Sequence, residues 1–193
     1  MTRTRPTSPL SSYCAGLVIA LLLALTGAPV VADETCMSPY MAKIVGQEDY
    51  VYVWTLGQVG VGDEQDKLVT IAVNPQSSNY GEIINSVSVG GRNEAHHSGL
   101  TDDRRHLWAA GLDTNKIFIF DIATDPAKPK LTKTISDFVA KTGGIVGPHT
   151  TYAMPGRMIV TGLSNHKDHG GQTGMAEYTN DGEYIATYWM PKD

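Results

Sequence analysis

Cysteine is nearly absent from this 193-residue chain, which has two, Cys14 and Cys36. That excludes a disulfide-stapled scaffold. Basic residues are also sparse, with 15 Lys and Arg against 20 Asp and Glu, and they are scattered. An acidic chain without a cationic patch is a poor partner for nucleic acid. There is no G-x-S-x-G elbow, no P-loop and no G-x-G-x-x-G after a strand, so the usual hydrolase, nucleotide and dinucleotide signals are missing. Long apolar runs are confined to the first 32 residues.

Those residues read as a secretory signal peptide, residues 1–32. Arg3 and Arg5 open it, an apolar run extends from Ala15 to Leu25, and small residues lead to Ala32 ahead of Asp33-Glu34. The run is shorter than the roughly 20 residues of a spanning helix, so cleavage after Ala32 is expected rather than anchoring or stable membrane insertion. Without that segment and its two arginines, 161 residues remain, with 13 basic against 20 acidic. The expected location is periplasmic or secreted. Only Cys36 survives processing, too few for an internal disulfide. Pairing with another chain, reactivity as a free thiol, and inert burial all remain open for it.

From Tyr50 onward, short segments rich in β-branched and aromatic residues alternate with turn formers. VYVWTLG, KLVTIAV, EIINSVSV, HLWAAGL, KIFIFDIA, KLTKTIS, RMIVTGL, GMAEYT and YIATYW read as strands. Asp181-Gly182 between two of them is a hairpin signal, and SDFVAKTG (136–143) is the one helical turn. The chain is all-β. DKLVTIAVNP and NKIFIFDIATDP repeat a Lys, an alternating strand and a closing Pro, with Lys116 following Lys67 by 49 residues. GMAEYTNDG is a weaker third copy. Such steps fit the four-stranded blades of a β-propeller, with a sandwich of coincidental spacing as the bland alternative. The expected organisation is an N-terminal segment with a first strand (33–65) followed by incomplete propeller blades (66–193), about three in all.

His96 and His97 in NEAHHSG and His149 in GPHTT each stand ahead of a turn and an apolar strand. His149 follows His97 by 52 residues. Equivalent points on successive blades converge on the propeller axis if they lie on inner strands, and imidazoles gathered there make a metal site. Side chains alternate across a strand, so His96 and His97 serve together only if the strand has not yet begun. A solvated pair at a strand start is the competing reading. Glu94 is a candidate to orient an imidazole from behind. His106 in the charged turn DDRRH reads as exposed. His166 and His169 flank Asp168 in the Gly-rich loop SNHKDHGGQTG and read as solvated, although their spacing suits adventitious metal.

With CMSPYMA, LVTIAVNPQSSNYGEIINSVSVGG, NEAHHSG, KIFIFDIATDPAKPKLTKTI, GPHTT and GMAEYTNDGEYIATYW in view, the chain resembles the selenium-binding protein family, whose bacterial members include periplasmic methanethiol oxidases. The resemblance implies a propeller, usually seven-bladed, with a copper site of histidines near its centre. His96, His97 and His149 fall on the family's N-terminal histidines, and Cys36 on a cysteine of its opening segment. For the bacterial oxidases it implies oxidation of methanethiol by O2 and water to formaldehyde, hydrogen sulfide and hydrogen peroxide. Gly81 stands where animal members carry the cysteine implicated in selenium binding, so selenium capture there is not expected. Family members are more than twice as long, which implies an N-terminal portion with open edges, unstable or self-associating when isolated. A non-catalytic exported propeller that binds ligands, and a propeller hydrolase of the lactonase kind, are the alternatives. The second needs carboxylates on the axis where histidines stand.

Overall fold

The computed structural model describes residues 38–42 and 46–192. The signal-peptide segment and Cys36 lie outside them. Among the described residues, eleven strands form three antiparallel sheets. The first sheet holds β1 (Tyr50–Thr55), β2 (Lys67–Ala72) and β3 (Ile83–Ser88) in that order. The second holds β4 (Ala95–Leu100), β5 (His106–Gly111), β6 (Lys116–Asp121) and β7 (Lys130–Ile135). The third holds β8 (Val146–Met154), β9 (Arg157–Ser164), β10 (Gly174–Thr179) and β11 (Tyr184–Trp189). One helical turn, α1 (Phe138–Lys141), lies between the second and third. Each sheet is a sequential meander, as in propeller blades. The repeated segments at Lys67, Lys116 and Gly174 become β2, β6 and β10, each an interior strand of its sheet. β1 pairs with β2 along its whole length, so a boundary at residue 65 falls within the first hairpin.

Burial explains the stacking. In the second sheet, Leu107, Ala109, Phe118 and Phe120 point one way and join Leu68, Tyr52, Trp54 and Val87 of the first sheet. Trp108, Ile117, Ile119 and Ile135 point the other way and meet Met158, Val160, Ala176 and Tyr178 of the third. A sheet covered on both faces needs near-continuous apolar strands, which is why HLWAAG and KIFIF carry so little polar interruption. Trp54 packs against Phe118 and Phe120 with ring centroids 5.7 and 6.1 Å apart. Trp108 meets Tyr178 at 5.7 Å and donates its indole N–H to the Asn180 carbonyl at 3.2 Å.

Polar staples fix one sheet to the next. Asp102, read from sequence as a turn residue, accepts the Asn180 side-chain amide at 2.7 Å and the Gly156 N–H at 3.0 Å. It thereby ties the β4–β5 turn to the β10–β11 and β8–β9 turns. Buried Asp66 accepts the N–H groups of Gly57 and Asn93 at 2.7 and 2.8 Å. The Pro155-Gly156 turn closes the β8–β9 hairpin with Gly156 at φ 68°, a conformation that suits glycine.

Among the described residues, the outer faces of the end sheets are uncovered. Val51 and Val53 are exposed on β1 opposite Ile71 and Val69 of β2, with Ile83 exposed beside them. On the third sheet, exposed Tyr152 and Tyr188 flank a face shared by Ile159 and Met175.

Candidate metal centre

The nine strands read from sequence are all present, and two more are added: β4, which carries AHHSGL, and β8, which carries VGPHTTYAM. The histidines therefore lie inside strands of their own, a correction to the reading of a strand not yet begun, while each still stands ahead of a turn and of β5 or β9. Polar composition hid these two elements. They are the first strands of the second and third sheets and lie side by side. Gly99 of β4 makes that approach close, since a Cβ there would collide with the Thr151 hydroxyl of β8.

The rule that adjacent strand residues face opposite ways is overturned by a β-bulge. Ala95 pairs with Gly111 and Ser98 with Ala109, so His96 and His97 together oppose Ala110 alone. An extra residue breaks the two-residue alternation and re-aims its side chains. The same irregularity recurs on β8. Pro148 pairs with Gly162 and Thr151 with Val160, leaving His149 and Thr150 opposite Thr161. Matching bulges at matching places bring three imidazoles together.

The ring centroids of His96 and His97 are 4.7 Å apart, those of His96 and His149 4.7 Å, and those of His97 and His149 4.3 Å. One nitrogen from each lies within 4.8 Å of the other two. Burial lowers the imidazole pKa of His97 below its ordinary value, and His96 beside it adds to the effect. His149 is lowered in the same way, first by burial and then by His97 and His96. Two rings in the cluster are thus biased toward the neutral form that binds metal. His149 Nδ1 lies 3.0 Å from the Thr150 hydroxyl.

The donor set fits a transition-metal ion. Nitrogens about 2.0–2.1 Å from one ion stand no more than about 4.2 Å apart, so small ring movements would close the cluster. Among the described residues His96 and His97 are exposed and His149 is half-buried.

Other candidates fall elsewhere. The hydrogen bonds of the described residues give the Glu94 carboxylate no imidazole partner; Glu94 instead turns the chain into β4 at φ 59°. His106 starts β5, four residues from Ala110, which is about 13 Å along a strand. His166 Nδ1 lies 2.6 Å from the Asp168 carboxylate within the β9–β10 loop. His169 rests against Gly147, its Nε2 3.3 Å from where a Cβ would stand, and joins no metal-ligand group among the described residues. Thr150 and Thr161 were not singled out from sequence. The β-branched pair after His149 was the available signal that a strand, and a hydroxyl beside the ring, lay there.

A model of the 56 kDa selenium-binding proteins matches residues 30–192. The chain belongs to the selenium-binding protein family. It is 67% identical over 160 residues to a methanethiol oxidase of Ruegeria pomeroyi, covering 83% of this chain and 37% of that protein. A methanethiol oxidase of Hyphomicrobium is 64% identical over 161 residues, with the same coverage of 83% and 37%. Among solved structures, a hypothetical selenium-binding protein from Sulfolobus tokodaii aligns with a TM-score of 0.67 at 26% identity, covering 81% of this chain and 39% of that one. The fold is therefore that of the family, here as three sheets of a propeller. The chain spans under two fifths of the length of these relatives.

Proposed function

We propose that this chain forms part of an exported, copper-dependent thiol oxidase. In this reading methanethiol, O2 and water give formaldehyde, hydrogen sulfide and hydrogen peroxide. The carbon and the transferred electron pairs balance: carbon is oxidised from methanethiol to formaldehyde while O2 is reduced to peroxide. The observation that carries the proposal is the convergence of His96, His97 and His149 from two sheets, with donor nitrogens within 4.8 Å. The names of the two bacterial relatives support the substrate class.

His96, His97 and His149 would hold the ion. Imidazole also suits zinc, iron and nickel; copper is taken from the family resemblance, and a redox reaction argues only against zinc. Bound copper would supply a soft acceptor for the substrate sulfur and a route for electrons to oxygen. The protein's own contribution is to present nitrogens rather than protonated rings, because burial disfavours the charged imidazolium at His97 and His149. The N-terminal basic and apolar segment supports export to an oxidising compartment.

Full-length protein reconstituted with copper is expected to release sulfide and peroxide from methanethiol. His97→Ala and His149→Ala should each lower bound copper well below the wild-type stoichiometry while the circular dichroism spectrum stays that of a β-protein. No turnover after reconstitution, or unchanged copper content in both variants, would end the proposal.

A further inference from the structure

A histidine that ligates through one ring nitrogen must carry its proton on the other, and the partner of that second nitrogen decides which is which. His149 Nδ1 faces the Thr150 hydroxyl at 3.0 Å. Among the hydrogen bonds of the described residues, His149 Nε2 has no partner. Thr150 is itself held. Its N–H, displaced from the β-ladder by the bulge, donates to the Thr161 hydroxyl oxygen at 3.1 Å. The Thr161 hydroxyl turns back to the Thr150 carbonyl at 3.4 Å. One side chain on β9 thus addresses both backbone groups of the bulged residue, and it belongs to the residue that stands opposite the bulge.

We infer that Thr150 is a positioning residue for the histidine cluster: its hydroxyl oxygen accepts the Nδ1 proton of His149, leaving the Nε2 lone pair for the ion shared with His96 and His97. The inference rests on the metal reading above. A neutral histidine side chain in water favours the opposite tautomer, with the proton on Nε2, so an acceptor at Nδ1 changes which nitrogen is free. Thr161 acts one step back by keeping Thr150 in place. The bulge on β4 is held differently. Ala110 stands opposite it, has no hydroxyl, and its carbonyl accepts the Trp54 indole N–H at 3.0 Å. Among the hydrogen bonds of the described residues, His149 alone of the trio has a hydroxyl partner.

The test uses full-length protein labelled with 15N-histidine. Long-range proton–nitrogen spectra of the metal-free form report the His149 tautomer, and competition with bicinchoninate reports Cu(I) affinity. Thr150→Val is expected to move His149 toward the Nε2–H form and to weaken Cu(I) binding about tenfold, the low end for loss of a ligand's hydrogen-bond partner. Thr150→Ser should restore both readouts. An unchanged tautomer and affinity in Thr150→Val, or a serine variant that fails to restore them, overturns the inference. A wild-type protein that binds no Cu(I) defeats the metal reading instead, while the metal-free spectra still decide the role of Thr150.

Discussion

Glu177 shows how much one side chain can hold in place. It is a nearly buried carboxylate on β10 that accepts the Tyr188 hydroxyl at 2.6 Å and the Arg157 guanidinium at 2.8 Å. The Tyr188 hydrogen bond, opposed by burial and assisted by Arg157, keeps its pKa below the ordinary value of 4.5. A carboxyl whose pKa is lower folded than unfolded contributes stability that is present above the unfolded pKa and lost as pH falls through the folded one. Glu177→Gln should therefore be less stable than wild type near neutral pH, and the gap should close as pH drops below about 4.5. Urea unfolding at a series of pH values measures it; a gap that widens in acid would refute this account of Glu177.

At the scale of elements, the site depends on two strands whose edges are irregular by one residue each. Trp54 supports the bulge on β4 from the neighbouring sheet, through its indole N–H to Ala110 and its ring against Phe118 and Phe120. Trp54→Phe keeps most of the ring packing and removes the donor. The expected cost is about 1 kcal/mol of stability, with a measurable loss of metal affinity because His96 and His97 sit on the loosened bulge; thermal unfolding and metal titration check the two effects. The apolar interior strands were legible in the sequence because β5 and β6 are buried on both faces and carry little else. β4 and β8 were not, since an inner edge strand that presents histidines, glycine and hydroxyls looks like loop. The repeat spacing still pointed to the histidines, although the register matches His149 with His96, 53 residues earlier, and His97 with Thr150. What it lacked was the bulge, which arises from cross-strand register and leaves no mark in either strand alone.

At the scale of the whole set of described residues, the middle sheet is covered on both faces while the end sheets are covered on one. Val53 is 38% exposed and Ile83 68% exposed on the open face of the first sheet. Uncovered sheet faces of this kind favour association. Residues 33–193 alone are expected to self-associate, and Val53→Lys with Ile83→Lys to shift the population toward monomer in sedimentation velocity. A monomer with both faces intact would contradict this.

Because His96, His97 and His149 ride on strands, the connections between strands are spared any duty of geometry. The β5–β6 link is a tight turn of residues 112–115, whereas the corresponding β9–β10 link runs through 165–173. Both sheets nonetheless deliver imidazoles to one place, two from β4 and one from β8. Changes in the length or charge of those links are therefore expected to leave the three imidazoles where they are.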